Sequence, residues 1–317
     1  MSDIHHSIVI PCYGSGRWLP DLVDQIDRAM APYQPFELIL VNDPGPDADT
    51  WPAIEAVARQ HAFVRGVELA YHVGQFKATL CGLELAAGHY VITLDDDFQN
   101  PPEEIPKLIQ AMREHPDMDC IMGEYGNDNR NPLRQFGSAL MQKIFDFFYD
   151  KPPGIVTSSF RIMPVQFART LLLYRLNFPQ LGPMIIQLSK KIMNIPVEHH
   201  RRPVGRSGYR FFKLVKETYR SVINVSILPL RLFSAVGFLT AGMAFIMGIF
   251  YFWSWMAGDV GFPGFTSLIL VITFFSGMLL AGIGVLGEYI GRIIQEVTGM
   301  PRYKIRRQVG RGQDAND

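Results

Sequence analysis

Cysteine is scarce: Cys12, Cys81 and Cys120 are all that 317 residues contain. Each lies in an apolar run, and their spacing matches neither a metal knuckle nor a redox pair. Buried free thiols are therefore expected, with no disulfide framework. Glycine is missing where a dinucleotide fingerprint would need it, since "YGSGRW" offers only Gly14-x-Gly16. No G-x-x-x-x-G-K-[ST] loop occurs either, which sets aside hydride transfer and P-loop chemistry. The N-terminal "MSDIHHSIVIPCYG" has no basic region followed by an apolar stretch. No secretory signal is expected, and the first two hundred residues are expected in the cytoplasm.

Charge is absent from two long stretches, between Arg231 and Asp259 and from Val260 to Gly287. Each exceeds the about 20 residues that a spanning helix needs. Phe250, Tyr251, Phe252, Trp253 and Trp255 gather at one end of the first, as in an interfacial aromatic belt. The joining stretch "AGDVGFPGF" has no Lys or Arg, whereas Arg206, Arg210, Lys213, Lys216, Arg220 and Arg231 precede it and Arg292, Arg302, Lys304, Arg306 and Arg307 follow. The positive-inside rule then predicts a multi-pass membrane hairpin with both termini cytoplasmic. Small residues Gly282, Gly284, Gly287 and Gly291 predict close helix packing and a homo-oligomer. Overall charge is zero, but residues 1–200 carry 16 Lys and Arg against 24 Asp and Glu, and residues 201–317 carry 14 against 6. The basic half is explained by "YRFFKLVKETYRSVINVSIL" (209–228), an interfacial amphipathic stretch on anionic headgroups, so a lipid bilayer is the expected partner and nucleic acid is not.

What the first two hundred residues do contain is alternation. "SIVIPCY", "FELILVN", "VRGVELA", "YVITLD" and "DCIMG" read as strands, with "WLPDLVDQIDRAM", "TWPAIEAVARQHA" and "QFKATLCGLELAA" as helices between them. This predicts an α/β fold on a mostly parallel sheet, with ligands beyond the carboxyl ends of its strands. Tyr13, Asn42, Asp43 and Asp95 to Asp97 fall there. The expected organisation is a globular domain at 1–208, an interfacial region at 209–230 and membrane helices at about 232–257 and 264–287 within 231–291. A basic cytoplasmic tail would occupy 292–317.

Three consecutive aspartates close the run "HYVITLDDDFQNPP". An Asp-x-Asp at a strand end can direct two carboxylates to one point, and hard oxygen ligands suit Mg²⁺ or Mn²⁺ with a diphosphate completing the shell. Asp95 and Asp97 are the candidate ligands. Helix capping is the competing role for the acidic run, although Asn100, ahead of Pro101 and Pro102, could cap the next helix by itself.

"IVIPCYG", "LVNDPGPDADT", "GQFKATLCGLELAAGHYVITLDDDFQNPPEEIP" and "LGEYIGRIIQEVTGMPRY" together resemble the polyprenyl-phosphate glycosyltransferases of glycosyltransferase family 2, the group of dolichol-phosphate mannose synthase and the undecaprenyl-phosphate glucosyl- and aminoarabinose-transferases. The resemblance spans nearly the whole chain. It implies a GT-A domain followed by a two-helix transmembrane hairpin, and inverting transfer from a nucleotide sugar, a UDP-sugar, to polyprenyl (undecaprenyl) phosphate for cell-envelope glycan or lipid modification. Pro11 and Tyr13 would border the base, Asp43 would bond base or ribose, and Gln75, Asp95, Asp96 and Gln99 would complete the nucleotide-sugar site. Asp97 would be the direct metal ligand. Arg202, Gly205, Ser207 and Tyr209 in "RRPVGRSGY" match the segment near the diphosphate and lipid phosphate, with Arg202 counted beside Asp97 as catalytic and Arg161 and Arg206 as further phosphate binders.

Three departures stand out: Pro44 replaces a glycine, His72 an asparagine, and Ser159 an acidic residue that some relatives carry before "FR". A phosphate monoester with a second pKa of about 6 is largely ionised at neutral pH and needs little help from a base. Two other readings stay open: a glycosyltransferase with a hydroxyl acceptor, and a non-catalytic membrane scaffold that keeps the fold.

Overall fold

The computed structural model describes residues 4–45, 47–125, 152, 154–174, 180–198, 228–257, 264–297 and 301–310. Arg202, Arg206, Ser207, Tyr209 and the amphipathic stretch after them lie outside the described residues. Residues before 199 join 301–310 in one compact unit, and 228–297 belong to another.

The first unit is built on β1 (His6–Cys12), β2 (Phe36–Asn42), β3 (Val64–Leu69), β4 (Tyr90–Thr93), β5 (Cys120–Tyr125), β6 (Arg161–Pro164), β7 (Ile192–Val197) and β8 (Ile305–Gly310). They form one sheet in the order β7-β5-β6-β4-β1-β2-β3-β8. Strands β1 to β4 are parallel where they pair, with Ile8 opposite both Leu38 and Ile92. β6 runs antiparallel to β4 and β5, and β8 antiparallel to β3. Every residue of β1 and β2 is buried, which is why these strands read as near-continuous apolar runs: both faces are covered.

One face carries α1 (Leu19–Met30), α2 (Thr50–Gln60) and α4 (Ile105–Glu114). Leu19, Leu22, Val23, Ile26 and Met30 give α1 a single buried stripe at helical spacing. The other face carries α3 (Gln75–Leu85), α5 (Val165–Leu173) and α6 (Leu181–Leu188). Gly82 lets α3 press onto β1, since a Cβ there would come within 2.2 Å of Val9 Cγ1.

The five strands expected from sequence are present. β6 and β8 were not expected, and β7 covers the apolar stretch "IMNIPV". Asn100 does not cap a helix. Its Oδ1 accepts the Tyr125 hydroxyl at 2.5 Å, and α4 begins only at Ile105 after a 3₁₀ turn at Pro102–Glu104. Within 292–317, expected as a tail, Ile305–Gly310 is a strand of the sheet.

In the second unit, α7 (Leu228–Met256) and α8 (Phe265–Val297) each hold an 18-residue window apolar enough to cross a membrane, no part of it buried. A soluble core helix of that length would be mostly enclosed, so the pair fits a transmembrane hairpin. Gly282 meets α7, where a Cβ would fall 2.4 Å from Phe233 Cε1, whereas Gly284, Gly287 and Gly291 face open space.

At the end of the sheet opposite Asp95, His6 is 5% exposed and its Nδ1 has no hydrogen-bond partner. Burial first, then the charges of Arg113, His5 and His89, lowers its pKa to about 4. The unfolded chain binds this proton more readily, so the contribution to stability is intact above pH about 6.5 and is lost as pH falls toward 4. Denaturation midpoints recorded across that window should drop for the native chain and drop less for His6→Phe.

Candidate active site

The site is assembled where β1, β2, β3 and β4 end. β4 stops at Thr93, and the chain then places Asp95, Asp96 and Asp97 before turning through Phe98, a non-glycine residue at φ 59°. That left-handed conformation is costly for a side chain with a Cβ, and such strain collects at functional turns. The Phe98 ring offsets it by packing against the α1–α4 core.

Each aspartate has its own task. Asp95 accepts Gln75 Nε2 on one oxygen and Ser159 Oγ on the other, both at 2.5 Å. Burial pushes it above the ordinary carboxylate range; the Ser159 bond opposes this, and the Asp97 charge adds to it. Asp96 accepts the Tyr13 backbone N–H at 2.9 Å, and its carbonyl accepts Trp18 Nε1 at 2.5 Å. It therefore ties the β1–α1 loop to the acidic turn. Its pKa rises to about 6, through burial first, with Asp95 and Asp97 adding to the rise. Asp97 is 8% exposed and its Oδ1 receives the Gln99 N–H at 3.2 Å.

Asp43 is engaged by the loop that follows β3. It is 2% exposed, and its carboxylate takes the N–H groups of Val73 at 2.7 Å and Gly74 at 2.8 Å, with His72 Nδ1 at 2.9 Å. The carboxylate thus shapes the β3–α3 loop. Gly74, at φ 89°, adopts the backbone that presents its N–H. The result is an aromatic wall: the Tyr13 ring, half exposed, lies 5.0 Å from the His72 ring at 45°. His72, read from the sequence only as a departure, supplies half of it. Pro11 is buried in β1 opposite Val41.

Two glycines hold the loop geometry. A Cβ on Gly16 would sit 2.6 Å from the Asp49 carbonyl oxygen, and one on Gly45 would sit 2.9 Å from Tyr13 Cε2. "YGSGRW" is thus a packing motif.

Arg161, expected at a phosphate, is enclosed. It is 4% exposed, its Nε bonds Thr93 Oγ1 at 3.1 Å and its Nη1 is buried without a partner. Burial lowers its pKa, and the Asp95 charge acts against that. A guanidinium held there supports Asp95 from below. Sequence reasoning also missed the Tyr125 hydroxyl, which contacts Asn100 and lies 2.9 Å from Ser158 Oγ.

The arrangement fits a divalent cation. Asp95 and Asp97 sit close enough to raise the cost of ionising Asp95, which a bound cation would relieve. Among the described residues no group of three or more His, Cys, Asp or Glu converges. The protein could offer two carboxylates, as Mg²⁺-type sites with phosphate ligands commonly do.

A mostly parallel α/β sheet with an acidic turn and an aromatic wall at its carboxyl edge fits the GT-A class of glycosyltransferases. The chain belongs to glycosyltransferase family 2, whose profile, described as "Glycosyl transferase family 2", matches residues 7–172. It is 32% identical over 310 residues to the undecaprenyl-phosphate 4-deoxy-4-formamido-L-arabinose transferase of Aeromonas hydrophila, covering 96% of this chain and 93% of that one. The protein of the same name from Klebsiella pneumoniae is 30% identical, with 98% and 95% covered. These relatives support the polyprenyl-phosphate glycosyltransferase group that the motifs indicate. Among solved structures, glucosyl-3-phosphoglycerate synthase of Mycobacterium tuberculosis superposes with TM-score 0.51 at 16% identity, covering 70% of this chain and 79% of that one, which supports the fold.

On the reading proposed below, in which the Tyr13–His72 wall takes a nucleotide base, Gly45→Ala should displace Tyr13 and weaken UDP binding roughly three- to tenfold, the worth of one misplaced aromatic contact. Titration calorimetry on the folded variant checks this; unchanged affinity would count against that role for Tyr13.

Proposed function

We propose that the protein transfers a sugar from a UDP-sugar to undecaprenyl phosphate at the cytoplasmic face of the inner membrane, with inversion at the anomeric carbon. The observation that carries this is the acidic turn at Asp95–Asp97 beside the Tyr13–His72 wall. The relatives are undecaprenyl-phosphate transferases by name, and two apolar helices would keep the enzyme where such a lipid presents its phosphate.

In this reading Tyr13, His72 and Pro11 frame the uracil, and Gln75, Gln99 and Asp95 border the ribose and diphosphate. A divalent ion, Mg²⁺ or Mn²⁺, held by Asp95 and Asp97 would neutralise the charge that develops on departing UDP. A phosphate oxygen of the acceptor forms the new bond to the anomeric carbon as the bond to the UDP oxygen breaks. The acceptor is already ionised near neutral pH, so orientation matters more than proton removal. Ser159 supports this choice of acceptor: it stands where some relatives have a carboxylate, and its hydroxyl is committed to Asp95. Arg202, Arg206, Ser207 and Tyr209 are proposed to hold the lipid phosphate, with the guanidinium groups pairing to it, and self-association through the glycine-lined α8 is part of the same proposal.

Purified protein with undecaprenyl phosphate, a panel of UDP-sugars and Mg²⁺ or Mn²⁺ should release UDP and give a lipid-phosphate-sugar identifiable by mass. Turnover with a hydroxyl acceptor but none with undecaprenyl phosphate would overturn the acceptor. A folded, membrane-inserted protein inert to the whole panel would favour a scaffold. Chelation should stop the reaction and Mn²⁺ or Mg²⁺ restore it. Asp97→Asn should lose at least about a hundredfold in turnover while still inserting in the membrane; near-normal rates in that variant would discredit the metal assignment.

A further inference from the structure

β8 reaches the sheet through Lys304, whose carbonyl accepts the Ala70 N–H at 2.7 Å. That bond lies directly before the 71–74 loop that grips Asp43. Along β8, Arg307 is opposite Glu68 on β3, and Glu68 is opposite Asn42 on β2. These register partners put three polar side chains in one row across three strands. Glu68 is 6% exposed; its Oε1 accepts Asn42 Nδ2 at 3.3 Å and its Oε2 accepts Arg307 Nε at 2.7 Å. Arg307 in turn lies 4.7 Å over the Trp51 ring, with Nη1 3.9 Å from Glu55 Oε1.

A carboxylate in a sheet interior is costly unless it is paired. An apolar residue at position 68 would serve packing better, so the row calls for another reason. Its far end supplies one. Asn42 is the last residue of β2, and Asp43, which follows it, organises the loop carrying His72.

We propose that Arg307 is a positioning residue for the nucleotide wall, acting through Glu68 and Asn42 on the Asp43 loop, so that the strand after the membrane helices tunes donor binding. This rests on the donor reading above. Arg307 is about half exposed, so its ion pair alone contributes little; the larger consequence of losing it is a buried Glu68 left with Asn42 alone. The effect should fall on ground-state nucleotide affinity, because Asp97 lies in the turn after β4, away from the β8–β3–β2 row.

The test uses the full chain in nanodiscs, with UDP and Mn²⁺ as the binding probe and steady-state kinetics for the donor. Arg307→Gln should raise the UDP Kd and the donor KM together by about three- to tenfold, as for one lost charge-assisted bond, with kcat within about twofold. Arg307→Lys should recover most of the affinity, and Arg306→Gln, on an exposed neighbour, should change neither constant. Unchanged Kd and KM with only a lowered melting temperature would overturn the proposal, since plain edge-strand support predicts that pattern. If Arg307→Gln does not fold, Glu68→Gln takes its place, with the same KM shift expected and an unshifted KM counting against the proposal. Absence of UDP binding by the native chain would instead bring down the donor reading, and this inference with it.

Discussion

Three adjacent carboxylates at the end of β4 are the constraint around which the first unit is arranged. Burying them raises the energy of the charged forms, and their mutual repulsion adds to it. The surroundings answer each one separately. Asp95 receives two side-chain donors and a guanidinium beneath it, Asp96 a backbone N–H, and Asp97 the N–H of the turn it begins. These partners come from the β1–α1 loop, α3, the segment before β6 and β6 itself, so the acidic turn also knits together elements distant in the chain. The proposed cation would meet carboxylates whose orientation is already set by these partners.

How much of this was legible follows from what each residue shows along the chain. β1 to β5 were readable because each carries a run of β-branched and other apolar residues between turn or helix signals. β6 spans only "RIMP" and opens on a buried arginine, and β8, "IRRQVG", lies at the sheet edge with two arginines. Neither carries a periodic signal, and Ile305–Gly310 was naturally taken for part of a basic tail. Asp95 and Asp97 were readable from their spacing. The tether role of Asp96 was not, because it depends on Tyr13, 83 positions earlier.

Arg161 and Asp43 show a complementary difficulty. Both lie at the functional edge, and both have a chemistry suited to ligands. The fold spends them instead on its own polar groups, Arg161 under Asp95 and Asp43 on the N–H groups of residues 73 and 74. The motif thus marks where polar side chains gather at the carboxyl edge, while the fold decides which of their atoms are already engaged. His72 reversed the case: a departure from the familiar pattern turned out to supply a ring beside Tyr13.

The last strand has a consequence for biosynthesis. β3 pairs with β8 on its outer side, and β8 lies downstream of both long apolar helices. A ribosome must therefore translate the whole hairpin before the sheet can close, leaving β3 as an open edge in the nascent chain. Making a soluble version would call for excision with a bridging linker rather than a stop codon, because the globular domain is discontinuous in the gene.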